Sequence, residues 1–199
     1  MQIIPAILPE DFADLEDKLS IVKGISRTVQ IDICDGVFVP SQTWPYKKQD
    51  DNFAEIIAEE RGMPYWEDID FEFDLMISKP GELIGEWLSA GASRIVLHLN
   101  SEPDLTETIQ KLSGIVDVGI AIRSNTPIEA IEKYVDSINF IQCMGIQKVG
   151  FQGQEFDHAI LEKIKEIKAK YPNMTVSVDG SVNEETAPLL KDAGADRLV

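Results

Sequence analysis

Short β-branched runs alternate along the chain with longer stretches in which apolar residues recur every three or four positions. The runs have the composition of strands, whereas the longer stretches have the period of amphipathic helices. Regular alternation of the two predicts a parallel sheet covered by helices. The predicted strands are residues 2–8, 28–33, 70–76, 93–99, 116–122, 138–144, 174–180 and 196–199, and the predicted helices are residues 11–24, 51–62, 80–91, 104–114, 126–135, 158–171 and 183–194.

Two architectures fit this pattern, an open doubly wound sheet and a closed (β/α)8 TIM barrel. An open sheet that binds a nucleotide usually carries a glycine-rich turn after its first strand, and ILPEDF at residues 7–12 contains no glycine. We therefore favour an α/β TIM barrel that forms a single domain over residues 1–199. Because the sequence stops in the eighth predicted strand, we expect the final helix of the barrel to be missing from it.

Polar residues on three predicted strands alternate with apolar ones and lie near the carboxyl ends, where active sites of this fold are found. One such aspartate alone is explained as a residue that caps a loop. Three strands with the same parity instead predict an acidic pocket in the barrel lumen, where a cation or raised pKa values must offset the repulsion between the carboxylates. The polar residues are Gln30 and Asp32, Glu72 and Asp74, and Ser177 and Asp179.

Composition narrows the choice of partners. Asp and Glu number 35 against 18 Lys and Arg, so the net charge of −17 argues against nucleic acid and anionic membranes as partners. No apolar run approaches the roughly 18 residues that span a bilayer, and the N-terminus lacks the pattern of a signal peptide. We therefore expect a cytoplasmic protein with no membrane partner, in which Cys34 and Cys143 are reduced thiols. We also expect a homo-oligomer.

Seven sequence blocks, which together cover almost the whole chain, resemble in order those of the ribulose-phosphate 3-epimerase family. They are IIPAILPEDF, QIDICDGVFVP, FDLMISKP, AGASRIVLHL, GFQGQEF, VDGSV and AGADRLV. The resemblance implies a TIM barrel that epimerises a ketopentose 5-phosphate at carbon 3, between ribulose 5-phosphate and xylulose 5-phosphate. It also implies that Asp32 and Asp179 transfer the proton on opposite faces of the substrate, while a divalent metal stabilises the enediolate oxygens.

The predicted metal ligands depart from the pattern of the family, whose site uses two histidines and two aspartates. Gln30 and Asp74 occupy the histidine positions here, so the resemblance places Gln30, Asp32, Asp74 and Asp179 around the ion. Such hard oxygen donors favour Mg²⁺ or Mn²⁺ over Zn²⁺. His98 falls at none of the matching positions, and we expect it to be a hydrogen-bonded strand residue in or near the lumen.

The predicted substrate is a small sugar phosphate. Backbone N–H groups of Gly150, Gly153, Gly180 and Ser181 are candidates to bind its phosphate, with help from the start of the seventh predicted helix and from Lys148. Glycines in such loops are also common turn residues. Met76 and Met144, together with Cys34, are expected to form an apolar wall near the pocket mouth.

Two alternatives to an epimerase stay open. One is a non-catalytic or repurposed barrel that binds a sugar phosphate, which is favoured by the loss of both histidines and by Ala6 where the family has a serine. The other is a Mg²⁺-dependent sugar-phosphate decarboxylase on the same scaffold.

Overall fold

The computed structural model describes residues 1–48 and 51–199, and within these residues nine parallel strands form one sheet with helices between them. The TIM-barrel prediction is confirmed. The strands are β1 (Gln2–Ile3), β2 (Ala6–Ile7), β3 (Thr28–Cys34), β4 (Asp70–Met76), β5 (Ala92–His98), β6 (Asp117–Ile122), β7 (Phe140–Met144), β8 (Thr175–Asp179) and β9 (Arg197–Leu198).

The first predicted strand forms as two short pieces, β1 and β2, because Pro5 lies between them and has no N–H to donate. The chain uses this break to close the sheet. Strand β1 pairs with β9, and the N–H of Ile4 donates to the carbonyl of Leu198 at 2.8 Å. Strand β2 pairs with β3, and the carbonyl of Pro5 accepts from the N–H of Gln30 at 2.9 Å. The two pieces of the first predicted strand, β1 and β2, therefore join the last strand, β9, to the second predicted strand, β3.

The helices lie between successive strands, as predicted, but several are shorter than the sequence pattern indicates. They are α1 (Phe12–Val22), α2 (Asn52–Ile57), α3 (Ile84–Ser89), α4 (Thr106–Leu112), α5 (Ala159–Lys170) and α6 (Thr186–Ala193). No helix within the described part of the chain is long and apolar enough to cross a membrane.

The helix predicted at residues 126–135 is instead a 3₁₀ helix, Ile128–Ser137. Its buried residues are Ile128, Ile131 and Tyr134, which are spaced by three. A 3₁₀ helix has three residues per turn, so this spacing places the three side chains on one face, whereas the 3.6-residue turn of an α-helix would spread them. A second 3₁₀ turn, Pro80–Glu82, precedes α3.

Alternate residues of strands β3 to β7 face two different apolar clusters. The larger cluster fills the layer between sheet and helices and includes Ile31, Ile33, Phe73 and Leu75. The smaller one includes Cys34, Met76, Val96, Phe140 and Met144, which have the opposite parity and face the lumen. The polar residues predicted to face inward share this second parity, so the lumen combines apolar layers with a polar one.

Candidate active site

Strand register places the predicted acidic residues beside one another at the carboxyl end of the barrel. Asp32 on β3 is paired with Asp74 on β4, and Asp179 is the last residue of β8. The carboxylate oxygens of these three residues lie within 4.8 Å of one another, and all three side chains are buried. We refer to Asp32, Asp74 and Asp179 as the carboxylate cluster.

Burial dominates the electrostatics of this cluster. It raises the pKa of Asp32 well above the ordinary value, and the charges of Asp179 and Asp74 raise it further. Burial, followed by the charge of Asp74, raises the pKa of Asp179 to about 7. Both shifts have the sign expected for carboxyl groups that leave water and approach like charges. The cluster therefore favours either bound protons or a bound cation.

Amide and imidazole groups hydrogen-bond the cluster from within the lumen. Gln30 Nε2 donates to Asp32 Oδ1 at 2.8 Å and to Asp179 Oδ2 at 3.2 Å. Gln142 Nε2 on β7 donates to Asp74 Oδ2 at 3.1 Å, and His98 Nε2 on β5 lies 2.9 Å from Asp74 Oδ1. Each of the three carboxylates thus has at least one hydrogen-bond partner within the lumen.

The donor set fits a divalent cation. The structure brings together the four residues predicted as ligands, three carboxylates and the Gln30 amide, and such hard oxygen donors suit Mg²⁺ or Mn²⁺. Gln30 Oε1 is buried and has no hydrogen-bond partner among residues 1–48 and 51–199. A buried acceptor without a partner is destabilising by about 1–3 kcal/mol. An amide turned towards a cation would present this oxygen and relieve that penalty.

A cavity of about 340 Å³ opens directly above the cluster. Asp32 and Asp179 line it, whereas Gln30 and Asp74 lie deeper and are 0% exposed. A small substrate in this cavity would therefore contact two acidic groups at its base. The cavity is also lined by all six residues predicted to contact the substrate, namely Met76, Met144, Gly150, Gly153, Gly180 and Ser181.

Two loops at one side of the cavity present unpaired backbone N–H groups. Gly150, Gly153, Gly180 and Ser181 have positive φ values of 85°, 70°, 102° and 55°. Their N–H groups donate to no other residue in the described part of the chain. Successive N–H groups in such turns form a concave surface that binds anions. This surface is the candidate phosphate site.

The N–H groups at the start of α6, the seventh predicted helix, are largely unavailable to a phosphate, because Asn183 already hydrogen-bonds them. Its Oδ1 accepts hydrogen bonds from the N–H groups of Glu185 and Thr186, at 2.9 and 3.0 Å. Lys148 is exposed on the surface rather than lining the cavity. An anion would therefore depend on the N–H groups of the loops themselves.

Asp35 joins the loop after β3 to the end of β4. Its Oδ1 accepts from the N–H groups of Val37 and Phe38, at 2.7 and 2.8 Å, and its Oδ2 accepts from the N–H of Ser78 at 2.7 Å. This arrangement places the Phe38 ring 5.4 Å from the His98 ring, centroid to centroid. The aromatic ring therefore packs over the imidazole that contacts Asp74.

The sequence pattern predicts no functional role for His98 or Gln142. The prediction that His98 is hydrogen-bonded near the lumen is confirmed, but its contact with Asp74 was not foreseen. The sequence does indicate a contact for Gln142, because a buried amide inside the apolar run INFIQCM needs a hydrogen-bond partner.

The two cysteines lie on opposite faces of the sheet, with Cys34 in the lumen cluster and Cys143 in the layer under the helices.

A family model described as the ribulose-phosphate 3 epimerase family matches residues 2–199. The chain is 35% identical to a ribulose-phosphate 3-epimerase of Bacillus subtilis over an alignment that covers 100% of this chain and 89% of that protein. It is 30% identical to the protein of the same name from Schizosaccharomyces pombe, with 100% of this chain and 84% of that protein covered.

Among solved structures, the chain is similar to 3-keto-L-gulonate-6-phosphate decarboxylase from Vibrio cholerae, with a TM-score of 0.68 and 13% sequence identity. The similarity covers 100% of this chain and 87% of that one. At such low identity the similarity supports the barrel fold alone.

Proposed function

The chain belongs to the ribulose-phosphate 3-epimerase family, a family of isomerases, and on this premise we propose that it interconverts ribulose 5-phosphate and xylulose 5-phosphate. The observation that carries the proposal is the placement of Asp32 and Asp179, whose carboxylates face one cavity beside the candidate phosphate site. A protein that only binds a sugar phosphate has little need for two buried acids at the reacting end of its pocket.

In the proposed reaction, Asp32 and Asp179 move the proton at carbon 3. One of the two groups starts as a carboxylate and removes the proton next to the ketone, while the other starts as a carboxylic acid and gives its proton to the opposite face, so the configuration is inverted. Their roles exchange in the reverse direction. General acids and bases are most effective with pKa values near the working pH. In the protein without a cation, burial and the charge of Asp74 raise the pKa of Asp179 to about 7, so this group binds and releases a proton near neutral pH.

The residues that would hold a divalent cation are Gln30, Asp32, Asp74 and Asp179, and we propose Mg²⁺ or Mn²⁺ rather than Zn²⁺. When bound, such an ion acts as a Lewis acid that stabilises negative charge on the substrate oxygens. The protein residues supply the remaining requirements. Without the ion, the Gln30 amide donates to both Asp32 and Asp179 and holds them side by side, whereas with the ion it would present Oε1 instead. Met76 and Met144 present apolar surface that limits the access of water to the carbanion.

The proposed phosphate site depends on close contact between the loops after β7 and β8. Gly145 donates its N–H to the carbonyl of Asp179 at 2.6 Å, and a Cβ at this position would lie 2.4 Å from the carbonyl oxygen of Gly180. We expect Gly145→Ala to displace the Gly180 backbone and to lower kcat/KM by on the order of tenfold to a hundredfold, the effect of a small misplacement of substrate. Steady-state kinetics with ribulose 5-phosphate measures this change.

Gly85→Ala is the matched control, because nothing lies within 4 Å of a Cβ at that position in α3. We expect it to leave kcat/KM unchanged and to stabilise the fold by up to about 1 kcal/mol. Equal kcat/KM for wild type and Gly145→Ala would show that the loop contact does not position the substrate.

The proposed activity is tested by incubating the protein with ribulose 5-phosphate and Mg²⁺ or Mn²⁺ in D₂O. We expect xylulose 5-phosphate to form and deuterium to enter carbon 3, both of which proton NMR detects. Lack of turnover with every divalent metal would contradict an epimerase and favour a non-catalytic barrel. Release of CO₂ from another sugar phosphate would instead favour a decarboxylase. The homo-oligomeric state and the cytoplasmic location stay predictions.

A further inference from the structure

The three carboxylates of the cluster are held in two different ways. Asp32 and Asp179 share a single donor, Gln30 Nε2, and both face the cavity. Asp74 lies below them and has one partner for each oxygen, His98 for Oδ1 at 2.9 Å and Gln142 for Oδ2 at 3.1 Å. The two partners come from β5 and β7, so they approach Asp74 from different strands.

We propose that His98 and Gln142 are positioning residues that orient Asp74 for binding of the divalent cation. We call this pair the Asp74 clamp. The inference rests on the proposed function, since it concerns the metal site of that reaction. It goes further by giving roles to two residues outside the predicted ligand set.

Both members of the clamp are buried, with exposures of 5% for His98 and 0% for Gln142. Buried side chains in a packed lumen have few alternative rotamers, so their donors are fixed in place. Phe38 packs against His98 and restricts the imidazole further. A donor held in this way determines where the carboxylate oxygen lies.

The clamp leaves Asp74 able to bind a cation. An ionised carboxylate has about four lone-pair sites on its two oxygens, and the clamp uses one site on each oxygen. The remaining sites are available to an ion shared with Asp32 and Asp179. Hydrogen-bonding partners behind a metal ligand commonly fix its orientation in this way.

Repulsion within the cluster explains why a clamp is needed. Oxygens of Asp32 and Asp179 lie within 4.8 Å of Asp74. When all three groups are ionised, as binding of a cation requires, like charges at this distance favour rotation of a carboxylate away from its neighbours. Two N–H donors, one on each oxygen of Asp74, oppose this rotation. Loss of either donor is therefore expected to misorient the ligand even though the ligand itself is retained.

The test measures Mn²⁺ affinity by electron paramagnetic resonance, from the signal of free Mn²⁺, with far-UV circular dichroism to check the fold. We expect Gln142→Leu and His98→Asn to bind Mn²⁺ about 10–100-fold more weakly than wild type. His98→Gln retains an N–H donor at the same reach, so we expect it to recover most of the affinity. His98→Leu fills a similar volume without an N–H donor, so we expect it to bind Mn²⁺ as weakly as His98→Asn, whereas affinity equal to that of His98→Gln would show that the imidazole serves only to fill space.

Ser177→Ala is the matched control. Ser177 is paired with Gln142 in the sheet, is 0% exposed, and hydrogen-bonds none of the three aspartates within the described residues. We expect its affinity for Mn²⁺ to equal that of wild type. An equal loss in Ser177→Ala, or wild-type affinity in either Gln142→Leu or His98→Asn, would overturn the clamp.

Wild-type measurements separate this inference from the proposed function. If wild type binds Mn²⁺ and epimerises ribulose 5-phosphate while the clamp variants bind the ion normally, only the clamp is wrong. If wild type binds no Mn²⁺ at all, the clamp is also overturned, together with the metal site on which it rests.

Discussion

Replacing Asp179 with Asn is expected to lower kcat for epimerisation by roughly 10²- to 10⁴-fold, the contribution typical of a positioned general acid or base. Asparagine has nearly the same shape and still accepts from Gln30 Nε2, but it cannot take up or release the proton. The fold should be retained, because burial raises the pKa of Asp179 and its charged form is therefore the destabilising one. Coupled steady-state assays measure kcat, and proton NMR in D₂O measures exchange at carbon 3.

The exchange experiment separates the two acids. Asp179→Asn should lose deuterium exchange from the epimer whose carbon 3 hydrogen faces position 179, and Asp32→Asn should lose it from the other epimer. Asp117→Asn serves as the control, since Asp117 begins β6 at the opposite end of the barrel and should leave kcat unchanged. Exchange of both epimers at the wild-type rate in Asp179→Asn would contradict the assigned role.

Much of this site could be predicted because a barrel strand has a period of two. Gln30 and Asp32 alternate with apolar residues, and strand register then places Asp32 beside Asp74. The same reasoning assigned Asp179 to the lumen. Parity and strand ends are therefore sufficient to predict where the three carboxylates of the cluster lie.

The partners of the cluster could not be predicted in the same way. Asp74 and Gln142 lie three strands apart, and the contact between them depends on side-chain rotamers and on register across β5 and β6. Likewise, the sequence offered the start of the seventh predicted helix as an anion site. Whether Asn183 occupies those N–H groups is decided by the conformation of a four-residue turn.

Two elements of the structure differ from the predicted strand and helix for simple physical reasons. Pro5 divides the first strand because it cannot donate a ladder hydrogen bond. The segment Ile128–Ser137 winds as a 3₁₀ helix because its buried residues repeat every three positions. Both signals are present in the sequence, yet each is short and is outweighed by the surrounding alternation of strand and helix.

Removing divalent metal with EDTA is expected to reverse the usual effect of pH on stability. Without the ion, the free energy of unfolding should fall as pH rises from 5 to 8. Folded Asp179, with a pKa of about 7, keeps its proton over much of this range, whereas the unfolded carboxyl group has already lost it near its ordinary value of 3.8. The folded state thus binds more protons, and its stability falls by on the order of 1 kcal/mol per pH unit for each such group. Denaturant titration at each pH measures the slope.

Asp32 acts in the same direction, because burial also raises its pKa. Carboxyl groups whose pKa is lowered, such as Asp14, affect stability only at pH values near and below their ordinary pKa. They therefore do not change the dependence of stability on pH between pH 5 and 8. Saturating Mn²⁺ should flatten the slope, since a cation offsets the same negative charge that the protons neutralise, and it should stabilise the fold by about 3 kcal/mol at 100 times its dissociation constant. Asp179→Asn removes one titrating group, so its slope in EDTA should be shallower than that of wild type. Two results would show that the carboxylate cluster is not a cation site. One is a free energy of unfolding in EDTA that rises with pH, and the other is a dependence on pH that is the same with and without Mn²⁺.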